Sequence, residues 1–347
     1  METILIIVCA LALLALQGMA VRHLAGERWQ ILATMPWRKE GDHWSGINFT
    51  WYGVLSATAN TLAAALFIVL MAAVGVPLAA ASALCAAMFL LCLPAARYMA
   101  WIVEKKPSTF TVGGAVFVGV LAAPWMVLIV NRLLAPWSIG QLPPLPTLAA
   151  LSISYVLGEG IGRLACISFG CCYGKPLAQC SPWIQRLFKN HAVSFSGACK
   201  KAAYEGGCEQ LPLVPVQAMT ATLHTVTAAA GILFFLHGAY LVAALAPLFV
   251  AQVWRFFSEM LRADYRGGGR ISSYQIFGAV ALVYLAGCMF FFRQPPLTVD
   301  LGGALATLWQ PGALLALQLL WWVVFFYTGK SMVTNATISL HLRHDRI

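Results

Sequence analysis

The chain has 347 residues, of which 61% are hydrophobic and only 10% are charged. A soluble domain carries about 25% charged residues, so this composition excludes an ordinary soluble protein and indicates an integral membrane protein. The formal net charge is +10, but the basic residues are scattered over short loops between apolar runs, which argues against a nucleic-acid partner.

Nine apolar runs follow one another along the chain, and their lengths are typical of membrane-spanning helices. They cover residues 3–20, 51–74, 78–103, 111–134, 145–165, 214–236, 239–260, 273–292 and 303–328. These runs are too long and too continuously apolar for barrel strands, and lipid tolerates only helices or closed barrels. We therefore predict an all-α polytopic membrane protein with about nine transmembrane helices.

The first run begins Met1-Glu2-Thr3 and has no basic segment before its apolar part, which favours a retained helix over a cleaved signal peptide. The predicted spans place most basic residues on one side of the membrane, with the loop 21–49, the polar stretch 174–213 and the C-terminal tail. The positive-inside rule would make this side cytoplasmic. Attraction of anionic lipid head groups would explain the same charges on a periplasmic face, so both orientations stay open.

Two charged clusters lie inside or at the ends of predicted spans. Glu159 and Arg163 are four residues apart on one face of the fifth span. In the seventh span and just beyond it, Arg255, Glu259 and Arg262 fall at i, i+4 and i+7 and also share a face. Ionised side chains at membrane depth cost about 2.5–3.5 kcal/mol each on insertion scales, so they usually mark function.

Arg97 adds a further cation near the end of the third span. With it, the four arginines exceed the two glutamates, and this surplus of positive charge predicts an anionic ligand. A phosphodiester fits, because guanidinium groups match phosphate oxygens with paired hydrogen bonds. The alternative is that these residues form structural ion pairs or reach toward the membrane surface.

Six cysteines crowd into one stretch around the polar loop: Cys166, Cys171, Cys172, Cys180, Cys199 and Cys208. In an oxidising compartment they could form disulfides, whose pairing the sequence does not give. Zinc is the rival interpretation, but the stretch does not hold the two closely spaced pairs of cysteines or histidines that are typical of such a site, so we predict no metal and no cofactor.

Cys171 and Cys172 are adjacent and follow Arg163, and nearby cations could lower a thiol pKa enough to make a nucleophile. A purely structural turn is the alternative. His224 lies inside an apolar run and is either a general base or a buried core residue. Small residues at Gly113-Gly114 and Gly158, Gly160 and Gly162 would allow close approach of helices or of a lipid chain.

These segments together resemble the prolipoprotein diacylglyceryl transferase family. The resemblance is carried by Phe49-Thr50-Trp51-Tyr52-Gly53, Ala96-Arg97, the stretch from Gly162-Arg163 to Gly174, Pro215-Val216-Gln217, and Arg255 to Arg262 followed by Ser272 to Gln275. It covers about residues 48–292, so residues 1–47 and 293–347 would each add one helix to a seven-helix core.

The resemblance implies a bacterial inner-membrane transferase whose active side faces the periplasm. Members of the family move the diacylglyceryl group of phosphatidylglycerol onto a lipoprotein cysteine. By the resemblance and the motifs above, the catalytic candidates are Arg163, Glu159, Cys171, Cys172 and Tyr52. The candidates for donor binding are Arg97, Arg163, Gln217, Arg255, Glu259, Arg262, Tyr173, Gly113, Gly114 and Gly174.

The chain departs from the family pattern on the side that would activate the acceptor. Val112 stands where the family has a histidine, Cys166 where it has asparagine, Cys171 where it has an acidic residue, and Thr220 where a glutamate is expected. We therefore expect a transferase with an anionic phospholipid donor and an open acceptor: a lipoprotein, another protein or a small molecule. A non-catalytic lipid-binding or lipid-translocating protein is the alternative. Thiol redox chemistry is disfavoured, because no Cys-x-x-Cys is present.

Overall fold

The computed structural model describes residues 2–105, 111–264, 272–292 and 298–347. The long helices are α1 (Glu2–Leu24), α2 (Trp51–Ala73), α3 (Leu78–Glu104), α4 (Val112–Leu134), α5 (Pro144–Phe169), α8 (Val216–Leu236), α9 (Tyr240–Leu261), α10 (Ser273–Met289) and α12 (Pro311–Gly329). The short helices are α6 (Pro182–Phe188), α7 (Lys201–Tyr204) and α11 (Leu301–Thr307). Three strands complete the fold: β1 (Ile31–Glu40), β2 (His43–Thr50) and β3 (Ala336–Ile338).

The prediction of an all-α polytopic membrane protein is confirmed. Within the described residues, eight helices are long and apolar enough to cross a membrane, namely α1 to α5, α8, α9 and α12. Helix α10 is apolar but has only 17 residues. The predicted last span, 303–328, is not one helix, because α11 ends and Pro311 starts a new helix. Proline has no backbone N–H and is well suited to a first turn.

The basic loop 21–49 contains a feature that the sequence did not predict. It folds into an antiparallel hairpin of β1 and β2, whose turn holds Gly41 with a positive φ of 60°. Strand β3 from the C-terminal tail pairs with the other edge of β2. A small three-stranded sheet therefore caps the ends of α2 and α12 and ties the two ends of the chain together.

Helix α5 runs through the centre of the bundle and packs against α2, α8 and α9. Its Gly160 sits directly against α8, since an added Cβ would lie 3.0 Å from the Cβ of His224 and 3.3 Å from the carbonyl oxygen of Ala221. This close approach places His224 beside the polar end of α5. On the outside of α8, α1 is held by a buried hydrogen bond of 2.9 Å from Gln17 to Thr225.

The segment between α5 and α8 folds over the end of the bundle. Its backbone joins the end of α9, with hydrogen bonds from Lys175 N–H to the Leu261 carbonyl and from Ala263 N–H to the Tyr173 carbonyl. Lys200 is fully buried beneath it and donates to the carbonyl oxygens of Leu24 and Ser168. The segment thereby connects the ends of α1, α5 and α9 on one side of the protein.

Candidate active site

A cavity of about 60 Å³ lies near this end of the bundle, between α2, α4, α5, α8, α9 and α10. It is lined by Tyr52, Val112, Gly113, Glu159, Arg163, Cys166, Cys171, Cys172, Thr220, His224, Ala251, Trp254, Arg255, Ser258, Glu259, Arg262 and Tyr274. Most of the predicted catalytic and donor-binding residues are in this set. The two charged clusters, which lie about 90 residues apart in the chain, thus meet at one cavity.

Glu159 is the centre of the charged network. Its buried carboxylate accepts hydrogen bonds from Arg163 on its own helix and from Arg255 on α9, the latter at 2.8 and 3.0 Å. The Tyr155 hydroxyl also donates to it, and Nδ1 of His224 lies 3.9 Å from Oε2. One carboxylate therefore holds two guanidinium groups from different helices in a fixed relation.

Arg262 lies just beyond α9 and forms the second ionic group. Its Nε and Nη2 donate to the two carboxylate oxygens of Asp264 at 2.8 and 2.7 Å, and its Nη1 lies 3.4 Å from Glu259. Burial raises the pKa of Asp264 to about 6, although the neighbouring Arg262 opposes this shift. Burial lowers the pKa of Arg262, but Cys172 and Asp264 outweigh that effect and hold it well above its usual value.

The predicted surplus of positive charge is not found at the cavity. Arg97 is not among the lining residues, and its guanidinium group lies over the Tyr327 ring, 4.4 Å from the ring centre. Arg163, Arg255 and Arg262 face three carboxylates, those of Glu159, Glu259 and Asp264. The sequence count went wrong because it included Arg97 and left out Asp264.

Unsatisfied donors at the cavity are better evidence for an anionic ligand than the charge count. Nε of Arg163 and Nε of Arg255 are buried without a hydrogen-bond partner among the described residues, and the same holds for both ring nitrogens of His224. Buried polar groups in native proteins are nearly always paired. Two guanidinium groups that each keep a free N–H therefore suit an anion with several oxygen atoms.

The end of α5 brings three thiols together. Gly170 adopts the left-handed conformation with φ of 75°, and the Cys171 N–H bonds to the Cys166 carbonyl at 3.0 Å, as in a Schellman helix end. The next residue, Cys172, also has a positive φ of 57°. The Sγ atoms of Cys166, Cys171 and Cys172 all lie within 4.8 Å of one another and line the cavity.

All ten cysteines are free thiols in this structure, so none of the disulfides that the sequence left open is formed. Hydrogen bonds to Cys166 and Cys171 hold the pKa of Cys172 well below its usual value. Hydrogen bonds with Cys166, which has the larger effect, and with Cys172 raise the pKa of Cys171. Cys172 is therefore the thiol of this pair that is better suited to be a thiolate.

Tyr52 and Gly113, two of the candidate site residues, line the cavity. The Tyr52 ring packs edge-to-face on Phe169, with ring centres 5.8 Å apart. At Gly113, an added Cβ would lie 2.6 Å from Nη1 of Arg255, so a side chain here would displace this guanidinium group from its present position. Gly114 faces Met99 instead and does not line the cavity.

Three other predicted donor-binding residues lie outside the cavity. Gln217 donates from Nε2 to the Cys171 carbonyl at 2.9 Å and so positions the thiol loop. Tyr173 points into a separate pocket of about 320 Å³ with Glu205. At Gly174 an added Cβ would lie 2.2 Å from the Val214 carbonyl oxygen, so this glycine serves the packing of the loop.

Several residues in or beside the cavity were not singled out from the sequence: Tyr155, which bonds to Glu159, and the lining residues Trp254 and Tyr274. Tyr155 precedes Glu159 by four residues, and this i, i+4 spacing was a usable signal. Trp254 donates from its indole N–H to Thr220 at 2.8 Å and closes the wall between α8 and α9. Tyr274 has no comparable local signal, because only the packing of α10 brings it to the cavity.

A helical membrane bundle with a buried arginine and carboxylate network at one end defines a polytopic membrane protein with an enclosed polar site. Residues 43–293 match the family model described as prolipoprotein diacylglyceryl transferase. The match covers well over half of the chain, and the chain belongs to this family of membrane transferases. No curated protein matches the chain.

The family membership confirms the resemblance and makes the chain a multi-pass inner-membrane protein of the transferase class. Helix α1 lies before the matched residues, and α11, α12 and β3 lie after them. Both additions pack on the matched core, since α1 contacts α8 and α12 contacts α2.

Proposed function

We propose that the chain transfers the diacylglyceryl group of an anionic phospholipid, with phosphatidylglycerol as the donor, to a thiol acceptor. The observation that carries this proposal is the convergence of Arg163 and Arg255 on Glu159 at the edge of the cavity. The free Nε–H groups of the two arginines would bind the phosphate of the donor. The chemical step would then occur at the glyceryl carbon next to that phosphate.

The reaction balances as a single displacement. The acceptor sulfur, as a thiolate, attacks the glyceryl carbon that bears the phosphate, and a carbon–sulfur bond forms. The carbon–oxygen bond breaks, its electron pair stays on the phosphate oxygen, and glycerol phosphate leaves. Fixed guanidinium groups stabilise the extra negative charge on this leaving group, which is the usual role of preorganised cations in such a step.

The residues on the acceptor side of the site do not identify one particular acceptor. Val112 contributes an apolar side chain to the cavity where the family pattern has a histidine. Glu159 is a poor base for the acceptor, because two arginines already hold its carboxylate. Following the family, we place the active face on the periplasmic side, with a cysteine of a lipoprotein as the first acceptor to test.

The substitution Arg163→Ala tests this proposal. We expect it to lower transfer from radiolabelled phosphatidylglycerol to a cysteine-containing acceptor peptide by about 100-fold or more, because one donor to the leaving phosphate is lost. The assay uses the full chain in lipid vesicles. Arg132→Ala is the matched control, since Arg132 lies in the last turn of α4, away from the cavity, and should keep normal transfer.

Equal transfer by Arg163→Ala and the native chain would contradict the role of Arg163. A second function, lipid binding or translocation without catalysis, is favoured by Val112 in place of a histidine. The same vesicles distinguish it, because translocation moves intact labelled lipid and leaves no label on the peptide.

A further inference from the structure

The three thiols at the end of α5 take no part in the proposed transfer step as written above. Cys166 comes from the last turn of α5, and Cys171 and Cys172 come from the loop that follows its left-handed end. Their sulfur atoms are within 4.8 Å of one another. Sulfur atoms bound 2.3 Å from one zinc ion lie about 4 Å apart, so small side-chain rotations would bring all three to a common ion.

The number of thiols and their position in the cavity wall point to metal binding rather than to a disulfide. A disulfide would use two of them and leave the third as a free thiol in the same cluster. Structural zinc sites use four protein ligands, whereas catalytic sites use three and keep one open position. Among the described residues, no fourth histidine, cysteine or carboxylate belongs to this cluster, and its three thiols line the cavity.

The surrounding charges suit a metal–thiolate group. Three thiolates and one divalent cation carry a net charge of −1. Arg163 and Arg262 interact electrostatically with the cluster from the cavity wall, and Lys201 does so from the loop side. These cations offset the negative charge that the metal–thiolate group would bring into a buried site.

We propose that Cys166, Cys171 and Cys172 bind a thiophilic divalent cation of the zinc class, whose open fourth position takes the acceptor thiol. Thiolate ligands favour zinc over magnesium or calcium. This inference rests on the proposed transfer to a thiol. It replaces our earlier expectation of no metal, which considered only the spacing of cysteines along the chain.

The family pattern has a histidine at the position of Val112, on the side that would activate the acceptor. Coordination to the metal would activate the acceptor thiol in its place. A thiol bound to zinc is deprotonated outright. The acceptor S–H bond breaks when sulfur binds the cation, and the proton passes to water. The bound sulfur then uses a lone pair to attack the glyceryl carbon, the carbon–oxygen electron pair leaves with the phosphate, and the thioether product leaves the metal.

Metal content of the full chain, purified in detergent, is the first test. After incubation with zinc and dialysis, we expect about one zinc per chain in the native protein. We expect no bound zinc in Cys166→Ser, Cys171→Ser or Cys172→Ser. Cys180→Ser and Cys208→Ser are matched controls outside the cluster and should keep the ion.

The native protein alone gives an independent measure if the serine variants fail to fold. Cobalt in place of zinc should give the sulfur-to-metal charge-transfer absorption of a thiolate site, and added zinc should remove it. Absence of this absorption in the reduced protein, or zinc binding no greater than in the triple serine variant, would overturn the metal site. Stable oxidation of Cys171 to Cys172 with no metal uptake would also overturn it.

Transfer with and without the metal tests the acceptor position. A free thiol is only a few per cent ionised at pH 7, so removal of zinc by a chelator should slow transfer about 30-fold at pH 7. This decrease in the transfer rate should become smaller toward pH 9, and added zinc should restore the rate. Unchanged transfer after complete removal of zinc would overturn the role of the open position.

The outcomes separate this inference from the proposed function. Arg163→Ala should lose transfer but keep its zinc, because the arginine is not a ligand. A native protein that binds zinc through the three cysteines but transfers no lipid group would contradict the transferase and leave the metal site standing. Transfer by a protein that never binds zinc would contradict the metal site and leave the transferase standing.

Discussion

At the scale of single residues, Glu159 organises the site more than any one arginine does. It is the common partner of Arg163 and Arg255, and it fixes the two guanidinium groups without using all of their donors. Removing one partner of a buried ionic group costs about 3–5 kcal/mol, because the remaining charges lose their compensation. The network therefore stabilises the bundle and, under the proposed function, holds the two guanidinium groups in position for the donor phosphate.

We expect Asp264 to give lipid binding a pH dependence. Burial raises the pKa of Asp264 to about 6 from 3.8, so the stability associated with its neutral form is present below about pH 4 and is lost as the pH rises through 6. Below pH 6 Asp264 becomes neutral while Arg262 keeps its charge. We expect the affinity for phosphatidylglycerol to increase on the order of tenfold between pH 7.5 and pH 5, measured by equilibrium lipid binding.

Asp264→Asn is the control for this prediction, since it removes the titrating group and keeps the size of the side chain. This variant should bind the lipid as tightly at pH 7.5 as the native protein does at pH 5, with a flat profile. An Asp264→Asn profile as steep as the native one would show that another group is responsible.

At the scale of secondary-structure elements, close contact between α5 and α8 sets the position of Glu159. A Cβ added at Gly160 would lie 3.0 Å from the Cβ of His224 and 3.3 Å from the Ala221 carbonyl oxygen, so the facing helix would have to shift by a few tenths of an ångström. A Cβ added at Gly162, also on α5, would lie 3.9 Å from the Cβ of Ala59 on α2, which is an ordinary contact. The two glycines therefore have different roles, although their spacing in the sequence looks uniform.

Gly160→Ala should destabilise the protein by about 1–3 kcal/mol, because the added methyl group forces α5 and α8 apart. Gly162→Ala is the matched control and should be neutral or stabilising by up to about 1 kcal/mol, because alanine is the better helix former. Thermal unfolding in detergent measures both. Equal destabilisation by the two substitutions would contradict the assigned contact.

The sequence predicted the helices well because lipid sets their length and apolar character. The predicted span 51–74 is α2 (Trp51–Ala73), and the span 78–103 is α3 (Leu78–Glu104). The hairpin was missed partly because Pro36 lies inside β1, and proline argues against a strand unless the strand is at an edge. In the structure β1 is an edge strand, and its register shifts beside Pro36.

The site was harder to predict because its pairs lie between elements. Spacing within one helix indicated that Glu159 and Arg163 share a face, but it could not show that Arg255 binds the same carboxylate. Arg97 looked equivalent to the other arginines, yet it packs on Tyr327, beyond the part of the chain that resembles the family. Cys166 and Cys171 are separated by four residues, which is within the spacing of zinc sites, but only the left-handed end of α5 brings Cys172 to the same place.

At the scale of the whole molecule, the family core is held between additional elements. Helix α1 packs on α8, α12 packs on α2, and β3 joins the hairpin that precedes α2. Gly53 and Gly329 bring α2 and α12 together backbone to backbone, since a Cβ at Gly53 would lie 2.2 Å from the Gly329 Cα. These contacts brace the side of the bundle where Tyr52 enters the cavity.

The most direct measurement of the central claim is the phospholipid that stays bound to the purified protein, identified and counted by native mass spectrometry. Arginines from α5 and α9 that bind one phosphate should retain phosphatidylglycerol in the native chain and in the Arg132→Ala control. The double variant Arg163→Ala/Arg255→Ala should lose at least about 90% of it, as expected when two charge-assisted hydrogen-bond donors are removed. Equal retention of phosphatidylglycerol by the native chain and the double variant would contradict the account.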